Sequence, residues 1–442
     1  MRRRISRRNF LVVSGGALVS LAAFGCGGRE VQQPGGEPPK AAEGRIRVVF
    51  WSAFSEELGK AMQKLVDDFN ASQEDIFVEN QFQGTYEETA QKLATSLAAN
   101  EVPEMVVLSE ITWNKFYLND TLEPLTDYFS GGDLDAEDYV EQLIGEGTRE
   151  GEIWWVPFAR STPLFYYNRD MFQQAGLPDR APNTWDELRE WGRDLIRLDG
   201  KPKAHAFTTA VNYNSWYFQG NVWQWGGKYS DEDLNILIAE DPAVEAGEFV
   251  RRLVHDDKMA YMAEDQTIDF ANGLAATTEQ STGQLGAIND TAKFEVGAAT
   301  LPEQREFACP TGGAGLGILA AAPDERKQAA FEFVKFAARP ENVTFWTKTT
   351  GYLPVTKSAQ ESSEMQSYFR ENPNFKVAVD QLTKAQREDT ALLFVPTAIP
   401  TIGEGLERLL VSNKPAQSVF QEVANQLETD AKGVKEQVAK RV

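Results

Sequence analysis

From Ile46 onward the chain alternates between two hydrophobic periods. Ile46 to Trp51 is a short apolar run that predicts a strand. Leu58, Met62, Leu65, Val66 and Phe69 then recur at helical spacing, with Ser55 as a candidate N-cap and Glu56 and Glu57 in the first turn. Ile76 to Phe82 alternates as a strand, Leu93 and Leu97 mark a second helix, and Met105 to Leu108 reads as a buried strand. Strand, helix, strand, helix, strand predicts a parallel sheet with helices on both faces.

A second series opens at "PFARSTPLFYYNRDMFQQAGLP" (157–178). Leu164 to Tyr167 is apolar on both parities, which predicts a strand covered on both faces. Thr184-Trp185-Asp186-Glu187 fits a capping box. Leu188, Trp191 and Leu195 follow on one face, and Gly200 is a helix stop. "GGAGLGILAAA" (312–322) predicts another strand, with a helix through Phe331 and Val334 after it. Pro340 suits the first position of a helix ending near Gly351, and Pro415 to Val442 reads as one long helix. At 442 residues the chain is too long for one ordinary core, so two domains are expected.

The pattern before Ile46 is different. Arg2, Arg3, Arg4, Arg7 and Arg8 precede an apolar stretch of 14 residues, Leu11 to Phe24. That is short for a bilayer span of about 20 residues and fits the apolar region of a signal peptide. Ser6-Arg7-Arg8-Asn9-Phe10-Leu11 resembles a twin-arginine export motif. Ala23-Phe24-Gly25-Cys26 resembles a bacterial lipobox with Cys26 as the lipidated residue, although Leu is commoner where Ala23 stands. A plain signal peptide cut nearby is the competing reading. "GGREVQQPGGEPPKAAEG" (27–44) has almost no large apolar side chain and predicts a flexible linker reaching roughly 20–25 Å. A signal peptide over 1–26, a tether over 27–44 and a folded body anchored to the outer face of the cell membrane are therefore expected.

The net charge of −22 understates that body. Without the five leader arginines, 39 basic residues remain against 66 acidic ones, or −27. Such a surface repels nucleic acid and anionic membrane, so no nucleic-acid partner is expected, and the membrane is reached only through the anchor. Catalytic and metal chemistry find little material. The two histidines, His205 and His255, and the isolated Cys309 offer no Cys/His metal set, and no G-x-S-x-G elbow occurs. Gly312, Gly313, Gly315 and Gly317 lack G-x-G-x-x-G spacing. No cofactor and no metal are expected. Aromatic residues are prominent instead. "NYNSWYFQGNVWQWGG" (212–227) mixes Tyr213, Trp216, Tyr217, Trp223 and Trp225 with Asn, Gln and Gly. That mixture suits a ligand with an apolar CH face and hydroxyls, or else a helix burying one aromatic face.

"STPLFYYNRDMFQQAGL", "PNTWDELREW", "TTEQSTGQL" (277–285), "TGGAGLGIL" (311–319) and "ARPENVTFWTKTTGYLPVTKSA" (338–359) together resemble the extracellular solute-binding proteins of ABC importers. The branch is the one that takes glycerol 3-phosphate, glycerophosphodiesters and sugars. The resemblance runs from about Trp51 to the C-terminal helix. It implies an α/β fold of the periplasmic-binding-protein type II, with two α/β lobes, a ligand cleft between them and crossover hinges. The implied lobes are 45–157 with 310–355, and 158–309 with 356–442, with Pro157 to Pro163 as the first crossing and Leu164 to Tyr167 as the central strand of the second lobe.

By the same resemblance, Tyr86, Glu110, Ser161, Trp216, Ser281, Thr282, Gly313 and Tyr352 match ligand contacts. The partners implied are a small carbohydrate or polyol and a membrane permease, for a monomeric protein that binds rather than catalyses. Phosphate-binding relatives place an arginine before the last Pro of the segment matching "LLFVPTAIP" (392–400). No basic residue occurs there, and Val395 stands at the aligned position. This favours a neutral sugar or glycoside over glycerol 3-phosphate or its diesters. A tethered carbohydrate-active enzyme, with Glu110 as one of two carboxylates, is the alternative from another class.

Overall fold

Ten strands of four residues or more form two five-stranded sheets in the computed structural model, which describes residues 40–99, 101–130 and 134–441. In chain order they are β1 (Ile46–Ser52), β2 (Ile76–Phe82), β3 (Met105–Ser109), β4 (Val156–Ser161) and β5 (Pro163–Asn168). They continue as β6 (Lys203–Thr208), β7 (Ala260–Ala263), β8 (Ala275–Ser281), β9 (Val296–Ala299) and β10 (Gly312–Ile318). The leader, Cys26 and the linker up to residue 39 lie outside the described residues. Among the described residues no helix is long and apolar enough to cross a membrane.

The first sheet runs β2-β1-β3-β10-β4 and the second β9-β5-β8-β6-β7. The strands β1, β2 and β3 are parallel, as their helical connections require. The fully parallel sheet expected from the alternation is not what forms, because β10 returns from the second lobe and pairs antiparallel to both β3 and β4. Likewise β5 is buried along its whole length but runs antiparallel to β8 and β9. It lies second from the edge, so β8 and not β5 is the middle strand of its sheet.

The helices form where the periodicity placed them, with one interruption. Helix Glu56–Ser72 buries Met62, Leu65, Val66 and Phe69 against the first sheet. Each such side chain contributes about 1.5–3 kcal/mol relative to exposure. Thr184 caps helix Trp185–Leu195 by accepting from the Glu187 amide at 3.0 Å. The Glu187 carboxylate closes the box one residue early, on the Asn183 amide at 2.5 Å. Helix Pro340–Thr350 stops at Gly351, whose φ of 93° is left-handed. The tail is two helices, Ala416–Ala431 and Lys435–Arg441, rather than one.

Three segments connect the sheets. The first is the single residue Thr162 between β4 and β5, so β4 belongs to the first sheet through Ser161 and not only to Pro157. The second and third meet as a short parallel pair, Cys309–Pro310 beside Ala385–Gln386. Gln381 braces the first crossing, its Nε2 donating to Thr162 Oγ1 at 2.9 Å and to the Pro163 carbonyl at 2.7 Å.

Candidate ligand-binding site

A cavity of about 270 Å³ opens where the C-terminal ends of β3, β4, β6 and β8 converge. Strand ends at a change of sheet order leave an unfilled crevice, where α/β folds hold small molecules. Its size is near the lower end for small-molecule sites, about 300–1,000 Å³.

Seven of the eight residues expected at the site line this one cavity: Tyr86, Glu110, Ser161, Trp216, Ser281, Gly313 and Tyr352. Thr282 does not. It is fully buried, and its amide donates to the Thr162 carbonyl at 3.0 Å, which turns the residue into the hinge rather than the cavity. The pleat explains Ser161. It ends β4 facing the cavity, while its neighbour Arg160 points to the opposite, sealed side.

Two tyrosines form one edge. The Tyr86 and Tyr352 hydroxyls lie 3.3 Å apart. Tyr352 stacks on Trp346 with centroids 6.0 Å apart, and Phe54 meets both Trp346 and Tyr86 edge-on. Gly283, from the second lobe, lies against the Tyr352 ring so closely that a Cβ would come within 2.8 Å of it. Burial raises both phenols above their ordinary range, so they are neutral hydroxyls at physiological pH.

The aromatic–amide stretch divides in the structure. Helix Val211–Gln224 carries most of it. Trp216 reaches the cavity, its indole N–H donating to the Thr311 carbonyl at 2.6 Å, and Tyr213 stands exposed at the mouth. Trp223 and Trp225 are core residues, Trp223 donating to Asp389 at 3.1 Å and Trp225 packing on Phe249. Tyr217 supports the floor by donating to Gln280, which itself lines the cavity.

Several lining residues were not anticipated. Glu87 follows Tyr86, and Glu264, Asp265, Gln266 and Thr267 follow β7. The available signal was Asp265 as an N-cap, which it is, accepting from the Ile268 amide at 2.9 Å. Ile399 also lines the cavity. Val395 does not. It is buried at the end of helix Thr390–Phe394, so the expectation that an arginine at 395 would reach the ligand is corrected, and 399 is the wall position.

The electrostatics are one-sided. Glu87, Glu110, Glu264 and Asp265 face the cavity, and no Lys, Arg or His among the described residues lines it. Burial pushes the Glu110 carboxyl up to about 8, against the opposing pull of Arg160 and of Glu110's own backbone. Among the described residues no group of three or more Cys, His, Asp or Glu could hold a metal ion.

The model of the bacterial extracellular solute-binding proteins matches residues 64–376, most of the chain. The chain belongs to that family. Among its relatives is the sn-glycerol-3-phosphate-binding periplasmic protein UgpB of Escherichia coli (strain K12), 27% identical over 361 residues, 77% of this chain and 81% of the relative. The crystal structure of UgpB from Mycobacterium tuberculosis in complex with glycerophosphocholine is 37% identical with a TM-score of 0.84, covering 88% of this solute-binding chain and 99% of that one. Maltose-bound MalE3 of T. maritima shares the two-lobe fold at 23% identity and a TM-score of 0.78, over 87% of this chain and 99% of that one.

Proposed function

We propose that this chain captures a neutral polyhydroxylated molecule, a sugar, glycoside or polyol, in the cleft between its lobes and delivers it to the membrane permease of an ABC importer. The observation that carries the reading is the lining. Hydroxyls and amides (Ser109, Ser161, Thr208, Gln266, Gln280, Ser281) stand beside the rings of Tyr86, Trp216 and Tyr352, and no Lys, Arg or His among the described residues lines the cavity. Rings bind the CH faces of a sugar, and hydroxyls and amides both donate to and accept from its OH groups. A phosphate in a closed cleft calls for charge-assisted donors, and the Arg160 guanidinium behind Glu110 is fully buried and bonded to Glu146.

No catalysis is invoked. Preferential affinity of the closed state for ligand is sufficient. The lobes are taken as 45–161 with 310–355, and 163–309 with 356–442, which extends the first to the end of β4. Glycerophosphodiester binding in the same role is the second reading, favoured by the 37% identity to the glycerophosphocholine complex.

A thermal-shift screen of sugars, polyols and glycerophosphodiesters tests the reading, since a ligand bound only by the native state raises Tm by mass action. At least one neutral member is expected to do so. No shift from any compound, or steady turnover of an oligosaccharide, would refute it.

The body is proposed to be tethered through Cys26. Cys26→Ala is expected to release a soluble protein with unchanged ligand affinity, because the linker separates anchor from cleft. Membrane fractionation showing the variant still bound would exclude lipidation there.

A further inference from the structure

We propose that Glu110 meets its ligand as a neutral carboxylic acid, donating a hydrogen bond, because it shares one buried guanidinium with two other carboxyls at the hinge. The inference deepens the reading of the cleft given above and rests on it.

Glu110 follows β3, Glu146 ends helix Glu141–Glu146, and Glu388 lies on the third connection between the lobes, just past Ala385–Gln386. All three are buried, and all three interact with Arg160, which is fully buried. Arg160 Nη2 donates to Glu146 Oε2. Its Nη1 is 3.8 Å from Glu110 Oε2, too far for a hydrogen bond. Among the described residues, Glu110 Oε2 and both oxygens of Glu388 have no hydrogen-bond partner. One cation therefore balances one anion, Glu146, and two carboxyls are left over. The backbone at Glu110 and the Arg160 guanidinium ease a charge there, but burial beside the other carboxyls outweighs them and favours the neutral acid.

The remaining neighbours do not change this count. Arg149 stands behind Glu146 but directs its donors to the Glu146 and Thr148 carbonyls and to Asn114 Oδ1. Arg387 acts on Arg149. From the cavity side Glu87 adds negative charge, and Tyr86, Tyr213 and Tyr352 contribute neutral phenols. The direction of the titration agrees: Glu110 is raised to about 8, and Glu388 well above its ordinary value, by burial first and then by Glu110 and Glu146.

The consequence concerns specificity. An ionised Glu110 could only accept, whereas the neutral acid offers one O–H donor and one acceptor. The wall that looks uniformly anionic can then donate to a ring oxygen, a glycosidic oxygen or a phosphodiester oxygen. A carboxyl raised to about 8 holds its proton below that pH and loses it above, so affinity for an accepting ligand is full near neutrality and falls as pH rises through 8.

Two measurements on the mature wild-type protein and the Glu110→Gln variant test this. Carboxyl ¹³C NMR of the ligand-free protein is expected to show a glutamate titrating about 3 to 4 pH units above the ordinary range. That signal should be absent in Glu110→Gln. A similar signal from Glu279, raised to about 8 by burial alone, should persist in both. Calorimetry with maltose and with glycerophosphocholine as probes is expected to show wild-type affinity falling roughly tenfold or more between about pH 7 and about pH 9.5. Glu110→Gln, which keeps a donor without titrating, should lose that dependence. A Glu110 signal in the ordinary carboxylate range, or wild-type affinity that is flat or rises with pH, would overturn the proposal. If neither probe binds, the ligand reading is at fault, and the NMR titration still decides the state of Glu110.

Discussion

Arg160→Met is expected to lower the free energy of unfolding by about 3–5 kcal/mol, the largest single effect outside the hydrophobic core. Arg160 lies on β4, one residue before the first crossing, with its guanidinium over the Trp155 ring at 5.0 Å and bonded to Glu146. Methionine fills the volume but leaves Glu146 as an unpaired buried carboxylate beside two other acids. Urea unfolding followed by circular dichroism reads the cost directly. The double variant Arg160→Met/Glu146→Leu, which removes both charges, should recover most of the loss. A cost under about 1 kcal/mol for the single variant would mean that the pair carries no structural weight.

Gly313→Ala is expected to cost about 2–4 kcal/mol and to weaken ligand binding at least tenfold. Gly313 has a φ of +96°, and a Cβ there would lie 2.0 Å from the Ala159 carbonyl oxygen and 3.1 Å from the Arg160 Cα. Both obstacles are backbone of the paired strand β4, so no side-chain rotation relieves them. The Gly313 carbonyl also accepts from the Glu110 amide at 3.2 Å, so any shift of β10 moves a wall of the cavity. Gly151→Ala is the control. Its φ is +81°, but nothing lies within 4 Å of the added methyl, so only the backbone strain of about 1 kcal/mol remains. Equal costs for the two variants, measured by denaturant unfolding, would show that the contact with β4 is unimportant.

These two positions also mark how far the sequence alone could be read. The alternation in the first lobe was legible because its helices show a wet face: Met62, Leu65, Val66 and Phe69 are buried while Gln63, Lys64, Asp67 and Asp68 are exposed. The stretch Leu164–Tyr167 was legible as a doubly covered strand for the same reason. Strand direction was not, because β10 and β5 owe their antiparallel pairing to chain crossings that no local period encodes.

Around the cavity, Tyr86, Ser161, Gly313 and Tyr352 came from motifs with distinctive neighbours. Thr282 beside Ser281 was beyond reach, since adjacent residues on a turn divide between cavity and hinge by the local path alone. Val395 and Ile399 separated for a related reason. A break after helix Thr390–Phe394 starts a new helix at Ala398, and only the second presents a side chain to the cleft. Glu388 gave no signal at all. In "QREDT" (386–390) it reads as a solvated loop acid, and only the meeting of two distant connections buries it.

The most direct test of the account is calorimetric titration of the wild-type protein near neutral pH with neutral sugars and polyols, glycerol 3-phosphate and glycerophosphocholine in parallel. A cavity lined by four acidic side chains, Glu110 among them as the neutral acid, and by no Lys, Arg or His among the described residues should bind at least one neutral compound more tightly than glycerol 3-phosphate. Tighter binding of glycerol 3-phosphate than of every neutral compound would contradict it, and would require Arg160 to leave its buried partners for the cleft.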